Sequence, residues 1–181
     1  MTHARYALPR ALRLLALLGA AALPPAALAD DQADVTQLMR SGQYAQALAR
    51  ADQSLASRPR DPQMRFLRGV VQTEMGRSAD AIATFTRLTE DYPDLPEPYN
   101  NLAVLYAAQS QFDKARAALE AAIRANPGYA IAHENLGDVY ARLASQSYSR
   151  AQQLDAANTT AAPKLALIRQ LFPAAAKGAG S

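Results

Sequence analysis

Side chains able to carry covalent or acid–base chemistry are scarce in this 181-residue sequence, and that scarcity is its first functional signal. There is no cysteine, and beyond residue 29 His133 is the only histidine, which excludes a Cys-His nucleophile and any zinc site built from two or more Cys or His ligands. No Gly-x-Ser-x-Gly turn is present to expose a serine nucleophile. The eight glycines are scattered, so no loop of clustered N–H groups could cradle a phosphate. The acidic pairs Asp30-Asp31 and Glu90-Asp91 lack the alternating acidic run with a glycine that a calcium loop needs, and read as solvated helix ends. The sequence therefore predicts no catalytic residue, no cofactor and no metal. The chemistry left to it is recognition through shape, apolar contact and hydrogen bonds from amides and carboxylates.

A net charge of +3 and a pI near 9.3 raise the question of a polyanionic partner. The excess sits in residues 1–29, which hold Arg5, Arg10 and Arg13 and no acid. Removing those three from the 19 Lys and Arg leaves 16, against 16 Asp and Glu, with no basic run among them. The surplus that displaces counterions from phosphates is missing, so no nucleic acid is expected. Residues 1–29 read as a secretory signal peptide. They have a basic start, an apolar stretch from Leu14 to Leu23, a Pro24-Pro25 break and the small-x-small site Ala27-Leu28-Ala29. That stretch is about half the length a membrane span needs, so cleavage after Ala29 is expected, leaving no stable membrane anchor. The lack of cysteine also removes a lipobox, so no diacylglyceryl anchor is expected after cleavage. The 42 alanines, and arginine far in excess of lysine, point to a GC-rich bacterium, and the expected location is the periplasm of a Gram-negative cell. Without disulfides, stability there must come from packing.

The elements that position these groups follow from a repeat. Pro59, Pro93 and Pro127 are 34 residues apart, and the same step links Ala47, Ala81 and Ala115, then Gly69, Ala103 and Gly137, then Tyr44, Ser78 and Phe112. Each unit reads as two short helices. In the third, Pro96-Glu97-Pro98 opens a helix carrying Tyr99, Leu102, Leu105 and Tyr106 at helical spacing, and Gln109-Ser110-Gln111 makes the turn. A second helix carries Phe112, Ala115, Leu119, Ala122 and Ile123 on one stripe and stops before Asn126-Pro127-Gly128. Ala103 and Ala115 are small enough to let the two backbones approach.

These units resemble the tetratricopeptide repeat. Tyr99-Asn100-Asn101-Leu102-Ala103-Val104-Leu105-Tyr106 and Ala132-His133-Glu134-Asn135-Leu136-Gly137-Asp138-Val139-Tyr140 fall on that family's first-helix pattern. The resemblance implies an all-α, right-handed superhelical solenoid of stacked helix-turn-helix hairpins. The array would span residues 30–158, in units of about 30–61, 62–95, 96–129 and 130–155. It also implies a concave groove lined by first-helix residues. Position by position, these are Gln63, Phe66, Leu67, Val70 and Thr73, then Glu97, Asn100, Asn101 and Val104, then Ile131, Glu134, Asn135, Asp138 and Arg142. Phe66, Val70 and Val104 would form an apolar strip, with Glu134 and Asp138 acidic beyond it, suiting a protein or peptide with apolar anchors followed by basic residues. The family's clamp for a C-terminal carboxylate uses Lys and Arg where this chain has Phe66, Val70, Ile131 and Asn135. Asn101 and Asn135, one period apart, would either bracket the backbone of a bound segment or bond neighbouring helices. His133 falls where the family packs an aromatic, so a packing role is expected.

The departures define further expectations. Asp34 replaces a large apolar residue in the first unit, predicting a short first helix, and Arg68 does so in the second, where Met64, Leu67, Val71 and Met75 should form the buried stripe. In the fourth unit Tyr148, Ala151 and Leu154 fit only if the turn loses about four residues. No Gly, Pro or Asn lies between Asp138 and Asp155. Either a tight turn near Ala144-Ser145 or one long helix is expected. Residues 159–172, with Leu165, Ile168, Leu171 and Phe172 on one side, read as a capping helix, and 173–181 as a flexible tail. The function expected on these grounds is a non-catalytic periplasmic adaptor. The alternative is a self-associating structural module, a homodimer formed through the end units.

Overall fold

A computed structural model describes residues 25–172, with side chains from Asp31 onward. The tail expected over 173–181 and most of the expected signal peptide lie outside the described residues. Residues 25–29 form the start of the first helix, so the expected cleavage point after Ala29 falls inside a helical segment.

Among the described residues the chain is all-α: α1 (Pro25–Arg40), α2 (Tyr44–Ser57), α3 (Pro62–Glu74), α4 (Ser78–Asp91), α5 (Pro96–Ala108), α6 (Phe112–Ala125), α7 (Ala130–Leu154) and α8 (Ala161–Leu171). Helices α1 to α6 form three hairpins, and each helix packs chiefly against its neighbours in the chain, as a solenoid requires. The hairpin turns are built alike. Gly42, Gly76 and Ser110, one period apart, have φ of 73°, 70° and 58°. The residue after each, Gln43, Arg77 and Gln111, donates its N–H to the carbonyl of Leu38, Gln72 and Tyr106. A left-handed residue there turns the chain while satisfying carbonyls at the helix end. At the opposite ends, Asp61 caps α3 by accepting from the Met64 N–H at 3.0 Å, and prolines open α3 and α5 where a missing N–H costs nothing.

The core runs in series between the layers. Val35, Ala47, Leu48, Ala51, Met64 and Val71 join α1, α2 and α3. Ala81, Phe85, Leu102 and Leu105 join α4 to α5, and Ala103, Ala115, Leu119, Ala122, Ala132 and Val139 join α5, α6 and α7. Gly69 on α3 is there because of close approach: a Cβ would lie 2.6 Å from the fully buried ring of Phe85 on α4.

Several expectations are corrected. Helix α1 is not short; with 16 residues it is longer than α2, because Val35 supplies the buried contact and Asp34 instead faces Arg50, 3.0 Å away. Arg68 likewise points outward to Asp52 at 2.7 Å. In the second unit Met64 and Val71 are buried and Leu67 half-buried, but Met75 is exposed because α3 has already ended at Glu74.

In the fourth unit the long helix is the reading realised: α7 runs 25 residues without a break. Ala144 stands where the other units have Gly42, Gly76 and Ser110, and a left-handed alanine would cost about 1–2 kcal/mol. A hairpin would also place Ser149 and Gln153 where α4 buries Ala81 and Phe85 and α6 buries Ala115 and Leu119, desolvating polar groups with no assured partner. The straight helix leaves Gln153 in water. It also leaves Gly137 exposed, with nothing within 4 Å of where its Cβ would be. Helix α8 then returns antiparallel along the C-terminal half of α7: the Lys164 ammonium lies 5.4 Å from the Tyr148 ring centroid, and the Arg142 guanidinium 3.8 Å from that of Phe172.

Candidate partner groove

Helices α3, α5 and α7 are the first helices of successive units, and the groove expected between them exists most clearly between α5 and α7. A cavity of about 480 Å³ opens there. Val104 and Ala107 of α5 face Asn135, Asp138 and Arg142 of α7 across it, and Phe172 closes one side. Ala103 and Leu119, both buried, supply apolar floor. Val104 is 49% exposed, while Glu134 is exposed on α7 one turn before Asp138.

The amides divide differently from either simple reading. Asn135 Nδ2 donates to Asn100 Oδ1 at 2.8 Å, so Asn135 bonds the neighbouring helix. Asn100, only 8% exposed, is thereby buried as a structural partner and is not a free groove group. Asn101 is half-buried, and its Nδ2 donates to the Glu97 carbonyl of its own helix at 2.9 Å. Asn135 lines the cavity, and its Oδ1 accepts no hydrogen bond among the described residues.

The apolar strip is also broken. Phe66 and Val70 are half-buried against the cluster containing Phe85, with the Phe66 and Phe85 ring centroids 5.7 Å apart. What remains of Phe66 lines a separate cavity of about 300 Å³ with Gln63, Leu95 and Glu97. Phe66 and Val104 are therefore not walls of one cavity. His133 is exposed, and its Nε2 lies 3.0 Å from the Pro127 carbonyl oxygen. The expected packing role is thus corrected: with no helix folded back over this face of α7, the imidazole ties down the preceding loop.

Sequence reasoning placed Phe172 on the apolar side of the last helix and did not connect it with the groove. Its position depends on where α8 returns, which no periodicity encodes. A second, polar cavity of about 560 Å³ is walled by Arg60, Arg65, Arg68 and Arg87, but Arg65 and Arg68 are already paired with Asp91 and Asp52 at 2.6 and 2.7 Å.

Two ionisations are shifted by their surroundings. Burial alone would raise the Asp31 pKa, but hydrogen bonds from Arg58 and Ser54 and the charges of Arg50 and Arg58 outweigh it and hold the carboxyl below its ordinary value. Asp31 thereby pins α1 to α2 through Arg50 at 2.5 Å, Ser54 at 2.9 Å and Arg58. Burial, then the negative charge of Glu97, pushes the Tyr129 phenol, next to the N-terminal end of α7, above its ordinary value. Among the described residues no three His, Asp or Glu side chains converge as metal ligands, and no helix is long and apolar enough to cross a membrane.

A family model described as tetratricopeptide repeat matches residues 35–96 and 100–166. Among solved structures, TTC0263, a thermophilic protein of this type from Thermus thermophilus, is 24% identical, with a TM-score of 0.60 over 80% of this chain and 82% of that one. The first repeat domain of human RPAP3 is 16% identical, with a TM-score of 0.61 over 66% of this chain and 94% of its own. MamA is 20% identical, with a TM-score of 0.57 over 75% and 82%.

Proposed function

The chain belongs to the tetratricopeptide repeat family, and from that premise we propose that it is a non-catalytic adaptor that holds a protein or peptide partner in the groove between α5 and α7. The observation that carries this reading is the cavity that brings exposed Val104 together with Asn135 and Asp138. An apolar wall beside a free carbonyl and a carboxylate suits a segment with an apolar anchor and an N–H or cationic group next to it. A related precedent is Naa15/Naa10, a structural neighbour 19% identical to this chain and solved bound to HypK. The N-terminal leader pattern supports a periplasmic location, where an adaptor would serve an envelope-associated complex.

Affinity capture from periplasmic extract tests the reading. Wild-type bait should retain a small set of proteins that bait carrying Val104→Asp with Asp138→Lys loses, while both baits keep the same helical circular dichroism. Unchanged retention would move the binding surface elsewhere. Fusion to a reporter enzyme that is active only outside the cytoplasm tests the location. A second reading, self-association through the terminal helices, is favoured by the exposure of Leu154, Leu167 and Leu171, at 71%, 64% and 65%. A monomer in light scattering at micromolar concentration would count against it.

A further inference from the structure

We propose that the Arg142 face at the edge of the cavity between α5 and α7 is a socket for an aromatic side chain, that Phe172 occupies it in the resting chain, and that the partner enters by inserting its own aromatic residue, flanked by a cationic one, in Phe172's place. This rests on the groove reading above and specifies the chemistry of its occupant.

Phe172 follows the last residue of α8, with backbone angles of −127° and 73° that leave the helix. Its ring is held under the Arg142 guanidinium at 3.8 Å and forms one wall of the cavity. A guanidinium stacked on a ring face is a specific way of gripping an aromatic. The remaining walls suit one too, since Val104, Ala107 and Val139 are apolar. The ring does not fill the space, because about 480 Å³ stays open beside it. The chain itself thus shows the kind of side chain the site accepts.

The rim sets the charge of the flanking residue. Asp138 is exposed and makes no ion pair among the described residues, and the Asn135 Oδ1 is an unused acceptor. A neighbouring Lys or Arg on the partner would gain both, whereas an acidic residue would meet Asp138 and be rejected.

Displacement of Phe172 is built into the way α8 is held. Helix α8 packs chiefly against α7, and only Ala161 and Leu165 of it are buried. Terminal elements with few buried contacts open at low cost. A site closed part of the time binds its ligand more weakly by the fraction of chains in which it is open. Emptying the socket should therefore strengthen binding without adding any contact.

The test uses the full chain and a short fluorescein-labelled peptide carrying one phenylalanine between two lysines, followed by anisotropy. Phe172→Ala should bind it about tenfold more tightly than wild type. Phe172→Leu, which keeps apolar bulk but loses the stack under Arg142, should shift affinity in the same direction by a smaller factor and carries the test if the alanine variant folds poorly. Peptides with alanine for phenylalanine, or glutamate for the lysines, should show no such gain, and Val104→Asp should abolish binding. Equal affinity of wild type and both Phe172 variants overturns the proposal, as does preference for the glutamate peptide. If Val104→Asp with Asp138→Lys blocks capture of the natural partner while the Phe172 variants change nothing, the socket fails and the adaptor stands. If that double variant leaves capture intact, the adaptor reading itself fails.

Discussion

Gly69 and Gly137 occupy the same register position two periods apart, yet the same substitution at each should act in opposite directions. Replacing a mid-helix glycine with alanine gains about 1 kcal/mol of helix propensity when nothing else changes. At Gly137 nothing else changes, because no atom lies within 4 Å of the new methyl group. At Gly69 the methyl would sit 2.6 and 2.7 Å from two ring carbons of Phe85, well inside van der Waals contact. Phe85 is fully buried and packed against the tilted ring of Phe66, so its ring has little freedom to retreat. Overpacking of this kind costs about 1–3 kcal/mol, and so severe an overlap belongs at the upper end. Net of propensity, Gly69→Ala should destabilise by about 1–2 kcal/mol, while Gly137→Ala should stabilise by about 1 kcal/mol. Urea unfolding followed by circular dichroism at the helical band would read both, with unchanged slopes confirming that the compactness of the end states is preserved. If Gly137→Ala destabilises, a helix covers that face and the continuous α7 is wrong. If Gly69→Ala stabilises as much as Gly137→Ala, the close approach of α3 and α4 is wrong.

Further outcomes follow from the same contacts. Because the Asp31 pKa is depressed in the folded chain, its contribution is present above the ordinary carboxylate value and is lost as pH falls through the lowered one. Asp31→Asn should therefore lower the melting temperature near neutral pH, and its deficit against wild type should shrink on acidification below about pH 4. A deficit independent of pH would show that the Arg50 and Arg58 contacts act without the charge. Combining Ala144→Gly with Gln146→Phe, Ser149→Ala and Gln153→Leu should turn α7 into a hairpin. Spin labels at positions 134 and 152 should then move from about 27 Å apart, the rise of a straight helix, to about 10 Å, the spacing of packed helices. An unchanged distance would refute the explanation offered for the straight helix.

The repeated part of the fold is legible in the sequence because its causes recur along the chain. Pro96 and Asn126-Pro127-Gly128 bound helices as read, and Ala103 and Ala115 are buried at a helix–helix contact. Contacts that do not recur are not legible. Asn135 reaches Asn100, 35 residues back, instead of matching Asn101 at 34, because helices that cross at an angle pair residues off the period. Asp34 and Arg68 look like defects at apolar positions. Their partners, Arg50 and Asp52, lie on α2, and only the packed structure brings them near. The fourth unit does carry a signal, but not in its helix breakers, whose absence between Asp138 and Asp155 is compatible with a tight turn or a long helix. The signal is the series Gly42, Gly76, Ser110, Ala144, in which the left-handed turn residue is lost.

That loss also accounts for the groove. A fourth hairpin would have covered Gly137 and carried the chain away from α7 at Ala144. Since α7 instead continues to Leu154, the short connection to Ala161 allows α8 only to double back along it. Reversed in this way, α8 touches α7 at Tyr148 through Lys164 and ends at Arg142 through Phe172. Ala144 at the turn, with Ser149 and Gln153 where a second helix would bury apolar residues, thus delivers an aromatic ring to the edge of the cavity that holds Val104, Asn135 and Asp138. A chain restored to a true fourth hairpin should keep that cavity but lose its resident ring. The four-residue redesign of α7 should then bind the phenylalanine-lysine peptide as the Phe172→Ala variant does. Weaker binding than wild type would mean that α8 forms the site instead of closing it.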